Sequence, residues 1–263
     1  MLTCSSQQRL CYNEAEMKTP FSRGFTIIEV MLFLAVSGVM VAGLLGGWTL
    51  LVNTQRYKDT IDTVYGYMQD QYNLVYNVEN ERKSTLTCTS TGEINEDSAS
   101  QPRGQSDCVL MGRMIKLVDG KTFESYAVLG TKPAADAAGD DNAVIKSYRP
   151  KTITQSIGLT ESHQSIPWEA EAVGKEGAGD GLNVNIILLR SPTSGIVHRY
   201  VVAASATNTS INDSDIAVAN ESEDFTMCFN PGALVSGVRQ AVVIRAYASS
   251  RNSVETLADN NGC

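Results

Sequence analysis

The hydrophobic and polar positions divide the chain of 263 residues into three segments with different patterns. The first segment is an uncharged run from Val30 to Val52, which is 23 residues counted from 30 to 52 inclusive. About 20 helical residues cross the hydrocarbon core of a bilayer. A buried helix of a soluble protein and a secretory signal peptide are the alternatives, but the apolar region of a signal peptide is only about 7–15 residues long. The pattern therefore favours a transmembrane helix over about residues 28–52.

A second pattern follows the uncharged run without a break. Apolar residues recur at steps of three and four, which indicates one stripe of an amphipathic helix. The stripe consists of Ile61, Val64, Tyr65, Met68, Tyr72, Val75 and Tyr76. No proline occurs between residues 25 and 80, so we predict a single helix over residues 25–82. A domain of the same chain can cover the stripe, and Tyr65, Met68, Tyr72 and Tyr76 are expected to pack on it. Only lipid or other copies can cover the first half.

The third segment, residues 83–263, has the pattern of a β-rich domain. Three pairs of apolar runs flank turn signals and predict hairpins: residues 109–118 with 122–130 around Asp119-Gly120, residues 182–190 with 196–205, and residues 224–229 with 237–248. Residues 131–143 and 206–224 are expected to be long surface loops. A long helix packed on an antiparallel sheet gives an α+β fold.

The distribution of charge disfavours some classes of binding partner and indicates which way the chain would lie in a membrane. The formal net charge is −8, which disfavours non-specific binding to nucleic acid or to anionic lipid. Lys18 and Arg23 precede the predicted span, whereas Arg56 and Lys58 follow it and are offset by two aspartates. The positive-inside rule therefore modestly favours a cytoplasmic N-terminus, with residues 83–263 outside the cytoplasmic membrane.

A specific motif lies at the start of the span. Residues 23–40 read RGFTIIEVMLFLAVSGVM, with a glutamate at the fifth position after the glycine. This stretch resembles the N-terminus of type IV pilins and related pseudopilins. The resemblance implies that a membrane-embedded prepilin peptidase cuts between Gly24 and Phe25 and N-methylates Phe25, so that residues 1–24 form a leader peptide. It covers about 30 residues closely and the remainder of the helix weakly.

Glu29 is a carboxylate at the start of an apolar helix. Such a group is costly in an apolar helix bundle unless it is paired. The resemblance implies that Glu29 of one subunit pairs with the α-amino group that cleavage creates on Phe25 of a neighbour. In a dry core this pair fixes the axial register more than it adds stability. The alternative is that Glu29 extends to the headgroups as an ordinary flanking charge.

Three glycines interrupt the apolar run, at Gly43, Gly46 and Gly47. Many members of the resembling family have a helix-kinking proline in this region, which this chain lacks. Each glycine costs about 1 kcal/mol in a helix interior, so the cluster is a candidate place for the helix to melt in a filament. Alternatively, small residues permit close contact between helices in the membrane.

Six cysteines fall on both sides of the predicted span. Cys4 and Cys11 precede it and are expected to be reduced, because the two sides differ in redox state. The cysteines that follow it are Cys88, Cys108, Cys228 and Cys263. We expect these four to form two disulfides, for which three connectivities exist. Local pairing suggests the first with the second and the third with the fourth. Free thiols and metal ligation are the alternatives, and the wide spacing disfavours a metal.

No catalytic constellation or cofactor motif is visible in the sequence. His163 and His198 lie outside any cluster with ligand spacing, so we expect surface or sheet histidines. Three aspartate-rich loops, at residues 139–142, 212–215 and 258–261, lack the fixed ligand positions of a calcium loop. We therefore expect no enzyme activity, no cofactor and no metal.

A basic stretch near the C-terminus is a weak candidate for DNA contact. Arg239, Arg245 and Arg251 occur in a stretch without acidic residues, from 237 to 254. The first two would share a face of a regular strand. Some minor pilins bind DNA through basic residues in this part of the chain, but the net negative charge opposes such binding.

The resemblance implies a structural subunit, most simply a minor pilin, of a type IV pilus-like filament. Its expected partners are other pilin subunits, the prepilin peptidase/methyltransferase, the inner-membrane assembly platform and the cytoplasmic membrane. The precursor would be a single-pass membrane protein, and the assembled subunit would lie in a cell-surface pilus. The alternatives are a pseudopilin, of H-type layout, of a type II secretion or DNA-uptake machine, and a signal-anchored extracellular binding domain.

Overall fold

The computed structural model describes residues 24–77, 85–96, 106–135, 137–153, 162–175, 181–204, 210–232, 239–257 and 263. Residues 1–23 of the expected leader, with Cys4 and Cys11, lie outside these residues, as does the loop at 258–261. The chain forms two compact units, Met1–Trp48 and Thr49–Cys263. Each unit is described separately below.

One helix, α1 (Ile27–Asn77), contains both predicted helical patterns. In the first unit its apolar side chains are almost all exposed to their surroundings. The most apolar part of α1 has no buried residue, and the helix is long and apolar enough to cross a membrane. The α+β fold predicted from the sequence is confirmed by this helix and the antiparallel sheets that follow it.

Twelve strands and a second helix, α2 (Asp141–Ser147), follow α1 in the described residues. The strands are β1 (Leu86–Cys88), β2 (Ile94–Glu96), β3 (Cys108–Val118), β4 (Thr122–Thr131), β5 (Lys151–Thr152), β6 (Ser162–Ser165), β7 (Glu171–Val173), β8 (Val184–Arg190), β9 (Val197–Ala203), β10 (Phe225–Asn230), β11 (Gln240–Ile244) and β12 (Val254–Leu257). They form a six-stranded sheet in the order β5-β4-β3-β8-β9, with β6 also on β4. The others form a four-stranded sheet in the order β12-β11-β10-β7 and the pair β1-β2.

The three predicted strand pairs are present and antiparallel: β3 with β4, β8 with β9, and β10 with β11. The first is closed by Asp119 and Gly120, whose φ angles are +48° and +62°. The Lys121 amide donates to the Val118 carbonyl across this turn at 2.9 Å. Positive φ at both central residues is the geometry that favours an Asp-Gly pair in a hairpin.

The main core lies where α1 meets the inner faces of both large sheets. Five of the seven residues in the predicted stripe are fully buried there, and Tyr65 packs at its edge. Tyr57, one helical turn before the predicted stripe, is buried as well. Its hydroxyl donates to the Phe229 carbonyl at 2.7 Å and accepts the Gln240 amide at 2.8 Å, which ties α1 to β10 and β11.

The expectation that Tyr76 packs on the sheet is wrong. Its side chain is 63% exposed, although its backbone carbonyl accepts a hydrogen bond from Arg190 Nη1 at 3.3 Å. The last buried residue of the helix is Val75. The apolar stripe therefore continues one residue beyond the core that covers it.

The prediction of two long surface loops, at residues 131–143 and 206–224, is also partly wrong. Residues 141–147 form α2, which begins after Asp140, whose side chain accepts the Ala143 amide at 2.9 Å as an N-cap. Residues 211–221 carry Ile211 and Ile216 into a second core on the outer face of the six-stranded sheet. Both segments therefore cover the sheet face that α1 leaves free.

Two disulfides join the four cysteines of the second unit in the pairing suggested by local spacing. Cys88 bonds to Cys108 and Cys228 bonds to Cys263. The first connects β1 to the start of β3, and the second holds the C-terminal residue next to β10. Loops of 20 and 35 residues are closed in this way, and each closure contributes about 3–4 kcal/mol in the chain-entropy model.

A polar cluster around His198 connects α2 to β9 and to the loop before β10. His198 Nε2 lies 3.1 Å from Asp141 Oδ2, and its Nδ1 lies 2.9 Å from Glu221 Oε1. The side chains of His198 and Glu221 are only 14% and 5% exposed. Ser191 and Ser194 hydroxyls donate to the Asp141 carboxylate at 2.9 and 2.6 Å, so both of its oxygens are engaged.

The pKa of His198 is raised in this cluster. Burial of the ring acts to lower the pKa, but the hydrogen bonds and charges of Glu221 and Asp141 outweigh burial. The imidazolium form is thus stabilised between two carboxylates. A group whose pKa is raised on folding stabilises the folded state below its unfolded pKa, and that contribution is lost as pH rises through the folded pKa.

We predict that replacing Met68 by alanine lowers the free energy of unfolding by about 2–5 kcal/mol, because it leaves a cavity between α1 and the sheets. Met68 is fully buried. Tyr76→Ala, on the same helix, is the control and should change the stability by no more than about 0.5 kcal/mol. Urea unfolding of the full-length protein in detergent micelles measures both. Equal losses for the two variants would contradict the described position of the core.

We predict that the contribution of His198 to stability is lost as pH rises above the ordinary histidine pKa of about 6.5 and through the raised pKa of the folded protein. His198→Gln should remove this part of the pH dependence, because glutamine cannot carry the charge between Asp141 and Glu221. His163→Gln is the matched control, since His163 is exposed on β6. The midpoint of thermal unfolding as a function of pH is the measurement, and an unchanged slope in His198→Gln would contradict the prediction.

Candidate processing and assembly site

The expected cleavage bond lies in an exposed segment without regular structure. Gly24, Phe25 and Thr26 precede α1 and have no helical hydrogen-bonding pattern. Phe25 is 82% exposed, and a Cβ built on Gly24 would meet no atom within 4 Å. A protease binds its substrate as an extended chain, and a glycine beside the bond lets the backbone approach closely. The described geometry is therefore compatible with cleavage between Gly24 and Phe25.

Thr26 and Glu29 form a reciprocal cap at the start of α1. The Glu29 amide donates to Thr26 Oγ1 at 3.3 Å, and the Thr26 amide donates to Glu29 Oε2 at 3.0 Å. The Thr26 hydroxyl also donates to Glu29 Oε2 at 3.1 Å. This is a capping box, in which two backbone N–H groups of the first turn find side-chain acceptors. The carboxylate also lies at the positive end of the helix dipole.

Thr26 is a site residue that the sequence interpretation missed. The signal was present, because a threonine followed three residues later by a glutamate before an apolar run is a sequence signature of a capping box. Glu29 thus has a hydrogen-bonding partner within its own chain before any neighbour is present. A neighbouring amine would have to compete with, or add to, these hydrogen bonds.

An apolar groove lies along the first turns of α1. It is lined by Phe25, Glu29, Val30, Phe33 and Leu34. All of these side chains are exposed in the described chain. Because Glu29 is the one charged residue in this lining, a partner that fills the groove meets a single carboxylate surrounded by hydrocarbon.

The three glycines predicted to weaken the helix all lie inside α1, which continues through them. A Cβ built on Gly43, Gly46 or Gly47 would meet no atom within 4 Å. Nothing in the described chain therefore requires glycine at these positions. Melting in a filament and close packing between helices both remain predictions that concern contacts with other molecules.

The three arginines proposed for DNA contact lie in different settings. Arg239 and Arg245 lie just outside the two ends of β11, about 20 Å apart at the rise of an extended strand. Arg245 forms ion pairs with Asp224 at 2.8 Å and Glu255 at 2.6 Å, which raise its pKa. Arg251 is exposed in a short 3-10 helix. DNA contact stays a prediction, and the carboxylates beside Arg245 weigh against it.

Within the described ranges, no group of three or more histidine, cysteine, aspartate or glutamate side chains is arranged to hold a metal ion. In the loop at 139–142, Asp140 caps α2 and Asp141 contacts His198. In the loop at 212–215, Asp215 Oδ2 accepts the Asn212 amide at 2.8 Å. These aspartates therefore have structural partners, and the third loop, at 258–261, lies outside the described residues.

Comparison with known proteins gives one match. The family profile described as the prokaryotic N-terminal methylation motif matches residues 20–45. No curated protein matches the chain, and no solved structure matches it. The matched residues include the expected cleavage bond, the capping box and the first half of the exposed apolar helix. The chain thus carries a prepilin-type methylation motif on an apolar N-terminal helix, which indicates a type IV pilin-like precursor.

Proposed function

We propose that the chain is a structural subunit, of the minor pilin type, in a type IV pilus-like filament. The observation that carries the proposal is an uncovered apolar helix that begins with the methylation motif. On this proposal the peptidase cuts between Gly24 and Phe25 and methylates Phe25. The processed helix then leaves the bilayer and packs against the helices of other subunits, and the globular domain lies on the outside of the filament.

The exposed part of α1 supports this proposal because its apolar surface can be covered first by lipid and then by the helices of other subunits. Its side chains are apolar on every side, and the globular unit begins at Thr49. Lipid satisfies such a surface in the precursor. After cleavage, helices of the same kind satisfy it equally well, since they offer apolar contact without unsatisfied backbone groups. Transfer from lipid to filament is then an exchange between two apolar environments.

The cap at Thr26 supports a specific order of events at Glu29. Before cleavage, the Glu29 carboxylate accepts two hydrogen bonds from Thr26. Cleavage creates a positive α-amino group on Phe25, and the amine of a neighbouring subunit can approach the carboxylate through the apolar groove. The Thr26 donors are neutral, whereas an ammonium group adds the attraction between opposite charges, which is strong in an apolar environment. An unpaired charge in a dry interior is costly, so subunits out of register are disfavoured.

A pseudopilin of a type II secretion or DNA-uptake machine is the second candidate in the same class. On that alternative, cleavage before Phe25 and pairing of Glu29 would be the same, so these features do not separate it from a pilus subunit. A signal-anchored extracellular binding domain is the candidate from another class. It would keep an intact N-terminus and remain in the membrane, so the state of residue 25 separates it from both filament proposals.

We expect the mature protein to begin at Phe25 with a methylated α-amino group. Mass spectrometry of the membrane and surface fractions, from cells that also express a prepilin peptidase, measures the N-terminal mass directly. Cells without the peptidase are the control and should retain Met1. An intact N-terminus in the presence of an active peptidase would exclude filament assembly by this route.

We expect Glu29→Ala to be cleaved normally but to lose at least about tenfold in filament incorporation, because the Phe25 amine of a neighbour loses its counter-charge. Thr26→Ala is the matched variant. It removes the cap, at a cost of about 1 kcal/mol, but keeps the carboxylate, so its incorporation should fall much less. Immunoblots of sheared filaments and of membranes measure both quantities. Incorporation of Glu29→Ala at the wild-type level would contradict the assigned role of the carboxylate.

A further inference from the structure

Trp168 is an exposed aromatic residue at the tip of a tight turn. The Ala170 amide donates to the Pro167 carbonyl at 3.4 Å, which closes the turn. Trp168 and Glu169, between them, both have φ angles of +59°. This is the left-handed region that Asn-Gly pairs usually occupy, and a bulky residue there is uncommon. Because Trp168 is 47% exposed, packing in the core does not account for it.

The turn lies beside the segment of α1 that follows the uncharged run. Thr60 Oγ1 donates to the Pro167 carbonyl at 3.3 Å. The guanidinium carbon of Arg56 lies 4.7 Å from the centroid of the Trp168 ring, which is a cation–π contact. The ring is therefore level with Arg56 along the helix axis.

This level corresponds to the headgroup layer of a membrane. The uncharged run ends at Val52, and Arg56 follows four residues later, about 6 Å further along the axis. The polar layer on each side of a bilayer extends about 5–8 Å beyond the hydrocarbon core. If Val52 lies at the edge of the hydrocarbon, Arg56 and Trp168 lie within the polar layer.

We propose that Trp168 inserts into the outer headgroup layer of the cytoplasmic membrane while the precursor is anchored there. Indole rings prefer this layer, since they combine a large apolar face with one N–H donor. Arg56 stacks on the ring and adds a positive charge at the same depth. The adjoining Glu169 is exposed and negative, so the contact depends on the aromatic ring and does not require anionic lipid.

The same edge of the globular unit includes Arg239. Its neighbour Gln240 donates its amide to the Tyr57 hydroxyl at 2.8 Å, one residue along α1 from Arg56. The positive charge of Arg239 also acts on Tyr57. Arg56 and Arg239 thus mark the edge of the domain nearest the end of the uncharged run, whereas Arg245 lies at the other end of β11. The inference rests on membrane anchoring of the precursor and does not depend on the kind of filament.

The chain has two tryptophans, Trp48 and Trp168, which permits a direct test. In full-length Trp48→Phe protein, Trp168 is the sole source of tryptophan fluorescence. The protein is reconstituted into phosphatidylcholine vesicles whose acyl chains are brominated near the carbonyl end. We expect at least about a twofold loss of Trp168 emission relative to unbrominated vesicles, because the ring lies at the depth of the interface.

The matched control moves the single tryptophan to the far end of the same domain. Tyr247 is exposed, and the carbonyl of its neighbour Ala248 accepts a hydrogen bond from Tyr72 at 3.4 Å. Residue 72 is about 24 Å further along α1 than Arg56. A chain with Trp48→Phe, Trp168→Phe and Tyr247→Trp should therefore show no quenching by the same lipids.

Flotation of each sample with its vesicles tests anchoring separately from the contact. Protein that does not float would contradict membrane anchoring, and with it the proposed function. Protein that floats while Trp168 remains unquenched would overturn this inference alone. Protection from acrylamide without quenching by lipid would also overturn it, since another protein surface would then cover the ring.

Discussion

Burial of one stripe of α1 against two separate sheets is the contact on which the globular unit depends. In the described strands, the four-stranded and six-stranded sheets share no ladder of hydrogen bonds. Side chains of α1 fill the space between them, and all of these residues belong to one continuous core. Tyr57 adds two hydrogen bonds to β10 and β11, and Gln71 accepts one from Ser125 of β4 at 2.8 Å. The helix is therefore the common partner of both sheets.

The position of α1 also explains why polar contacts surround His198 beside the second core. Because α1 occupies one face of the six-stranded sheet, the other face must be covered by α2 and by the segment around Ile211 and Ile216. These segments are short, and polar contacts around His198 supplement their apolar burial. Charged groups at such positions make stability depend on pH.

The sequence predicted the helix, the strand pairs and the motif, because each has a local signal. It could not predict where the core ends, which is why Tyr76 was misplaced: periodicity identifies one side of a helix but not the extent of the sheet facing it. The seven residues of α2 are too few to show a helical period. Arg199 is fully buried on β9, and its Nη2 donates to the carbonyls of Glu221, Glu223 and Arg245. Those partners are 22 to 46 residues away, so no local pattern reveals them.

Different constraints also explain why the match to a known family is confined to residues 20–45. On the proposed function, residues 20–45 insert into lipid, bind a peptidase and pack against the same residues of other copies. Each of these partners restricts length, apolar character and the spacing of Gly24, Thr26 and Glu29. The globular unit must only bury a stripe of α1 against sheets, and many sequences pack a core of this kind. A motif fixed by external partners therefore carries the recognisable signal, while the domain that presents it can differ.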